Sequence, residues 1–298
     1  MGRESSSSWP KYGCLTTLAL GVIALVVLGM AAGIALRQNR SAAFERQTVA
    51  HEIEETEAAG DLSASVRLNL EIHTAGVSIR PIGAGESIRI EADYDPRLHV
   101  LRQSSRRDGR IDVVTVELRP LGSKLMALLR AKVGGRLAML RIALPRDVPL
   151  EIEGSVDRGL AVMELGGLYL TSTRLEVEDG SVKLSFAEPL PTPMDKLRII
   201  GNRGSLSVAG LGNASPRESV LLQHIGAVDL DLRGAWSRDA KVRVIAGAAG
   251  GSLWLPDNVN VTGLDERRGI RVEEDRELPQ PTLDLSITEH MGRFVVME

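Results

Sequence analysis

The residues of this chain best suited to chemistry are three groups of charged side chains on successive segments: Glu176, Glu178 and Asp179; Arg198 and Arg203; Asp229 and Asp231. Two carboxylates, or a carboxylate with an arginine, on neighbouring strands of one exposed face would supply the acid and base that cleave a glycosidic bond. That chemistry is a polysaccharide hydrolase or lyase. The competing reading is that charges on an outward strand face serve solvation and cross-strand pairing. Aromatic residues make up only 3% of the chain, too few for a sugar-stacking platform, so the non-catalytic reading is the one carried forward. The five histidines, His51, His73, His99, His224 and His290, have no metal-ligand spacing, and no metal or cofactor is expected. Nucleophile-elbow, Walker and dinucleotide patterns are absent, and Gly201-Asn-Arg-Gly204 is too short to cradle a phosphate.

The elements that must position these charges repeat. Gly159-Leu-Ala-Val162, Gly180-Ser-Val-Lys-Leu184, Gly204-Ser-Leu-Ser-Val208, Gly226-Ala-Val-Asp-Leu230 and Gly251-Ser-Leu-Trp-Leu255 are copies of one phrase. By subtraction, their glycines stand 21, 24, 22 and 25 residues apart. Ala75-Gly76-Val-Ser-Ile79 is an early copy. Each pairs a glycine with apolar residues at alternate positions, the period of a half-buried strand. A repeat of this length built from strands alone predicts an all-β fold, a β-solenoid of stacked short strands whose rungs bury their apolar faces only together. Gly76, Gly159, Gly180, Gly204, Gly226 and Gly251 are the expected structural turn glycines. Val182, Leu206, Val228 and Leu253 are expected to share one dry column. The prolines Pro189, Pro191 and Pro193, and the stretch from Gly212 to Pro216, read as loop insertions at corners.

The N-terminus reads differently. Residues 1–13 form a short polar tail, expected to be cytoplasmic. Cys14 to Leu36 carries no charge, and as a helix would span about 35 Å, enough for a hydrocarbon layer of about 30 Å. A transmembrane helix over residues 14–36, held in the lipid bilayer as an uncleaved signal-anchor, is therefore predicted, with the C-terminal domain extracytoplasmic. Trp9 and Tyr12 stand where interfacial aromatics belong. Gly29 and Gly33 have the small-xxx-small spacing of a helix–helix contact, although glycine is common in membrane helices anyway. Cys14, the single cysteine, excludes an intrachain disulfide and reads as a small apolar residue at the membrane edge. Residues 37–60 read as a juxtamembrane linker, with a first strand available from Thr48 to Ile53, and residues 61–298 as the β-domain. Residues 121–136 break the alternation with a basic, helix-like pattern that suits an amphipathic capping segment. With 36 basic against 39 acidic residues, nothing points to a nucleic-acid partner. A protein partner or self-association is compatible with the repeat.

The phrases above, with Ile142-Ala-Leu-Pro-Arg-Asp-Val-Pro-Leu-Glu-Ile152 and Leu253-Trp-Leu-Pro-Asp-Asn-Val-Asn-Val261, resemble the bacterial "putative-adhesin" domain family, also called adhesin-head or toast-rack-like β-solenoids. The resemblance runs from Val66 to about Val261. It implies a membrane-tethered, non-catalytic binding or scaffold module, of a kind implicated in surface attachment or envelope-stress sensing. The proline-rich insert and the basic segment near Lys124 depart from the family pattern.

Overall fold

A computed structural model of the chain describes residues 45–51, 65–122, 137–263 and 280–297. The membrane helix expected over 14–36, with Cys14, Gly29 and Gly33, lies outside the described residues, as does the expected capping segment except Leu121 and Gly122. Among the described residues no helix is long and apolar enough to cross a membrane. What is described is almost all β, in one mixed sheet of fourteen strands.

The strands are β1 (Glu45–His51), β2 (Ser65–Ile82), β3 (Ile88–Tyr94), β4 (His99–Asp108), β5 (Ile111–Pro120), β6 (Ala138–Pro145), β7 (Leu150–Glu164) and β8 (Leu170–Ser185). They continue with β9 (Lys196–Ala209), β10 (Glu218–Asp231), β11 (Ala240–Trp254), β12 (Asn260–Thr262), β13 (Thr282–Glu289) and β14 (Phe294–Met297). From β2 through β7, β8, β9 and β10 to β11 every pairing is parallel, and the register is constant but for one shift between Leu150 and Glu151 at the start of the β7–β8 pairing. Parallel neighbours about 4.8 Å apart place like positions directly above one another, so a repeated sequence becomes a set of columns.

These strands are not short. β2 has 18 residues and β8 has 16, because each runs unbroken through a bend. In β8, Leu175 and Val177 are buried before the bend, and Val182 and Leu184 after it. In a regular strand alternate residues share a face, so the odd interval from Val177 to Val182 requires the chain to turn over between them. The bend therefore divides each of the long strands β2 and β7 to β11 into a first limb and a second limb, both packing on one core.

The column Val77–Ala161–Val182–Leu206–Val228 runs through the second limbs, and Ile79–Met163–Leu184–Val208–Leu230–Leu253 lies beside it. Leu253 thus stands over Leu230 rather than Val228, a correction to the expected column. All of these residues are buried, each larger aliphatic contributing about 1.5–3 kcal/mol of transfer free energy. The proline-rich insertion is no surface decoration either. It puts Phe186, Leu190 and Met194 in the core, and the next loop adds Leu211 and Ala214. Asn213 ties these loops together, donating through Nδ2 to the Phe186 carbonyl at 2.7 Å and accepting from the Ala235 amide at 3.0 Å.

At the N-terminal side, strand order departs from chain order. β5 and β6 together pair the two limbs of β2, inserting between β2 and the antiparallel strands β3 and β4, with β1 antiparallel on β3. At the other side, β13 and β14 pair the two limbs of β11, and the short β12 pairs β13.

Candidate binding surface at the bend

At the bend the same backbone position recurs from strand to strand, and glycine fills it. Gly159, Gly180, Gly204 and Gly226 are in register, with φ of 152°, 158°, 128° and 130°. A β-carbon on Gly180 would lie 1.8 Å from the Gly159 carbonyl oxygen, and one on Gly226 would lie 1.7 Å from that of Gly204. Glycine is needed twice over, for the positive φ and for close backbone approach. The two flanking strands place alanine here: Ala249 is in register with Gly226, and a β-carbon on Gly159 would meet the Ala75 oxygen. Gly251 and Gly76 are therefore not members of this column. Gly251 stands in register with Val228, and Gly76 with Met139. The phrase misled because alanine replaces glycine in both flanking copies, and another glycine lies close by.

The two residues preceding the column project outward and form a polar ladder. His73, Asp157, Glu178, Asn202 and His224 occupy its first position, between the registered pairs on either side. Thr74, Arg158, Asp179, Arg203 and Ile225 occupy its second. Neighbours this close act on one another, and like charges directly opposite destabilise a sheet unless each is engaged elsewhere. His73 Nδ1 and Asp157 Oδ2 share a hydrogen bond at 2.8 Å, and Asn202 donates to Glu178. Asp157 and Glu178, the two acids next to each other, are thus engaged on opposite sides. Arg158 Nε donates to Asp179 Oδ2 at 3.4 Å, with Arg203 in register on the far side of Asp179. One step beyond the glycines, Ser205 donates to Ser181 at 2.8 Å.

The charged residues singled out from the sequence are spread over three faces. Glu176 and Arg198 face outward on the first limb, where Arg174 donates to Glu176 at 2.8 Å. Glu178, Asp179 and Arg203 meet at the bend. Asp229 and Asp231 stand on the second limb, Asp229 accepting from Ser252 at 2.6 Å. Asp231 is gripped by Arg233 through Nε and Nη2, both at 2.8 Å, and that hydrogen-bonded guanidinium holds its carboxyl below the usual carboxylate range. This is the reverse of what a general acid needs. His73, Asp157, Arg158 and Asn202 were missed by sequence reasoning as site residues. Their signal was their place just before each turn, where Asp157-Arg158 and Asn202-Arg203 read simply as turn formers. Among the described residues no cluster of three His, Cys, Asp or Glu side chains could hold a metal ion.

No family model and no curated protein matches the chain. Solved structures do. One, described as a "putative cell adhesion protein" from Clostridium sporogenes, is 13% identical, with a TM-score of 0.46 over 85% of this chain and 99% of that one. Another, described as a "putative adhesin" from Bacteroides fragilis, is 9% identical, with a TM-score of 0.37 over 86% and 99% of the two chains. A third, a "putative adhesin" from Parabacteroides merdae, is 7% identical, with a TM-score of 0.27 over 87% and 98%. These neighbours are adhesin-like by description.

Proposed function

We propose that this protein is a single-pass membrane protein whose β-domain, a β-solenoid, stands outside the cytoplasm and acts as a non-catalytic binding or scaffold module. Its role would lie in surface attachment or in sensing envelope stress. The observation that carries the binding reading is the ladder at the bend, where side chains hydrogen-bond to one another between strands on a backbone held by the glycine column. Donors and acceptors set in this way are pre-organised, so recognition sacrifices little conformational entropy. The anchor is supported by the uncharged run from Cys14 to Leu36.

Protease added to intact cells tests the placement: the β-domain should be cleaved without permeabilisation, and protection until lysis would refute it. Replacing Glu178, Asp179 and Asp231 together by their amides tests the absence of catalysis. Loss of a measurable polysaccharide-cleaving activity with the fold intact would establish the hydrolase or lyase instead.

A further inference from the structure

The outward face of the first limb changes character between β8 and β9. Register places Ile200, Leu222 and Ile245 in one outward column, continuing the positions of Ser155 and Glu176. Val220 lies beside Leu222, between Arg198 and Arg243. These four aliphatics are half-buried and turned away from the core, while Ser219 and Leu221 of the same strand are buried in it. Alternation on an antiparallel or solvated sheet face normally puts polar residues at such positions, so this stripe is a departure within the pattern that built the rest of the limb.

Basic residues flank the stripe. Lys196 and Arg198 on β9, and Lys241 and Arg243 on β11, are all exposed; Glu218 stands between the two lysines, and Asp284 of β13 lies in register beside Lys241. None of the four makes an ion pair or side-chain hydrogen bond among the described residues. On the adjoining part of the same limb the opposite holds: Arg67 pairs with Glu151 at 2.8 Å, and Arg174 with Glu176 at 2.8 Å. The face therefore presents aliphatic side chains bordered by a net positive charge, four cations against two acids.

We propose that this face docks an acidic segment of a partner protein that also carries aliphatic side chains. Charge complementarity selects an anionic partner. The aliphatic column selects against a purely polar polyanion, which would leave Ile200, Leu222 and Ile245 without apolar cover. A bilayer surface fits less well, because these side chains are half-buried among their neighbours and no tryptophan or tyrosine stands among them to anchor at headgroup level. A polypeptide brings its own side chains down to such a face. The proposal rests on the reading of the protein as a binding module, but uses a different face from the bend.

The test measures fluorescence anisotropy of a labelled peptide alternating glutamate and valine, added to the full chain in detergent. Controls are a peptide alternating lysine and valine, polyglutamate, and vesicles of phosphatidylcholine with phosphatidylserine. The glutamate–valine peptide should bind best, and raised salt should weaken it. The Arg198→Glu/Arg243→Glu variant and, separately, Leu222→Ser should each lower affinity about tenfold or more. All three positions lie on the outward side of the sheet, and an unchanged circular dichroism spectrum checks the fold. The Glu178→Gln/Asp179→Asn variant at the bend should leave this affinity unchanged. Binding to the vesicles alone, equal binding of polyglutamate, insensitivity to the first-limb variants, or no peptide binding would each overturn the proposal. Loss of binding only in the bend variant would also overturn it, while leaving the binding-module reading in place.

Discussion

Gly204 stacks on Gly180 so closely that a β-carbon on Gly204 would stand 1.6 Å from the Gly180 carbonyl oxygen. No side-chain rotation relieves a clash with backbone, and Gly204 also holds φ at 128°. Gly204→Ala should therefore destabilise the domain by at least about 2–4 kcal/mol, adding backbone strain to displacement of the neighbouring strand. Ala249→Gly, at the register position where a β-carbon is already accommodated, should cost no more than about 1 kcal/mol. Urea unfolding of the two variants checks the contrast. Equal losses would show that the glycine column is not the constraint.

A second column supports a prediction of opposite sign. Leu68, Ile152, Thr173, Leu197, Ser219 and Val242 stack in register on the first limb, and the hydroxyls of Thr173 and Ser219 are buried there without a hydrogen-bond partner. Removing an unsatisfied buried polar group in favour of an apolar one of similar shape is neutral to stabilising. Thr173→Val should raise stability by about 1 kcal/mol, read as a higher urea midpoint at constant slope. A fall of that size would mean the hydroxyl is satisfied by a buried water.

Gly201 and Gln223 should be energetically coupled. Gln223 is buried, its Nε2 donates to the Ile225 carbonyl at 2.8 Å, and a β-carbon on Gly201 would lie 2.0 Å from its Oε1. Gly201→Ala alone should therefore be costly, and Gln223→Ala should recover part of the loss. A double-mutant cycle should show coupling of about 1 kcal/mol or more. Additive effects would show that the glutamine side chain moves aside freely.

Acid should weaken the domain in two steps. Burial lowers the pKa of His99, against the opposing pull of Asp95. A folded pKa below the unfolded value of about 6.5 means that stability is full above that pH and falls as acidification takes the unfolded chain through it. The Asp95 carboxyl is held low chiefly by its hydrogen bond from Arg97, so its share is present above about pH 3.9 and is lost below, as pH falls toward its folded value. His99→Gln should flatten the upper part of the stability–pH profile, and Asp95→Asn should remove the lower step while deepening the upper one, because it takes away the charge that opposes the lowering of the His99 pKa. An unchanged profile in His99→Gln would show that the imidazole protonates as easily folded as unfolded.

Much of the architecture was readable in advance. The phrase at Gly159, Gly180, Gly204 and Gly226 announced stacked strands, because period-two alternation after a recurrent glycine has few other uses. The slip at Gly251 arose because a glycine column can end in alanine: the register from Gly226 continues to Ala249, an interval of 23 residues rather than 25. The insertion of β6 between β2 and β3, and of β5 between β2 and β4, left no trace in local pattern, since strand alternation does not name the partner.

By itself, the sequence determined the local geometry: alternating aliphatics made strands, and glycines at the recurrent bend allowed successive backbones to touch. Tertiary structure decided which side chains became neighbours. Parallel register brought His73 to Asp157 and Asn202 to Glu178, and set Ser252 beside Asp229 on another face. The physical reason is that a repeat sets the position of a residue within its own strand, whereas complementarity between strands depends on pairings made across dozens of intervening residues.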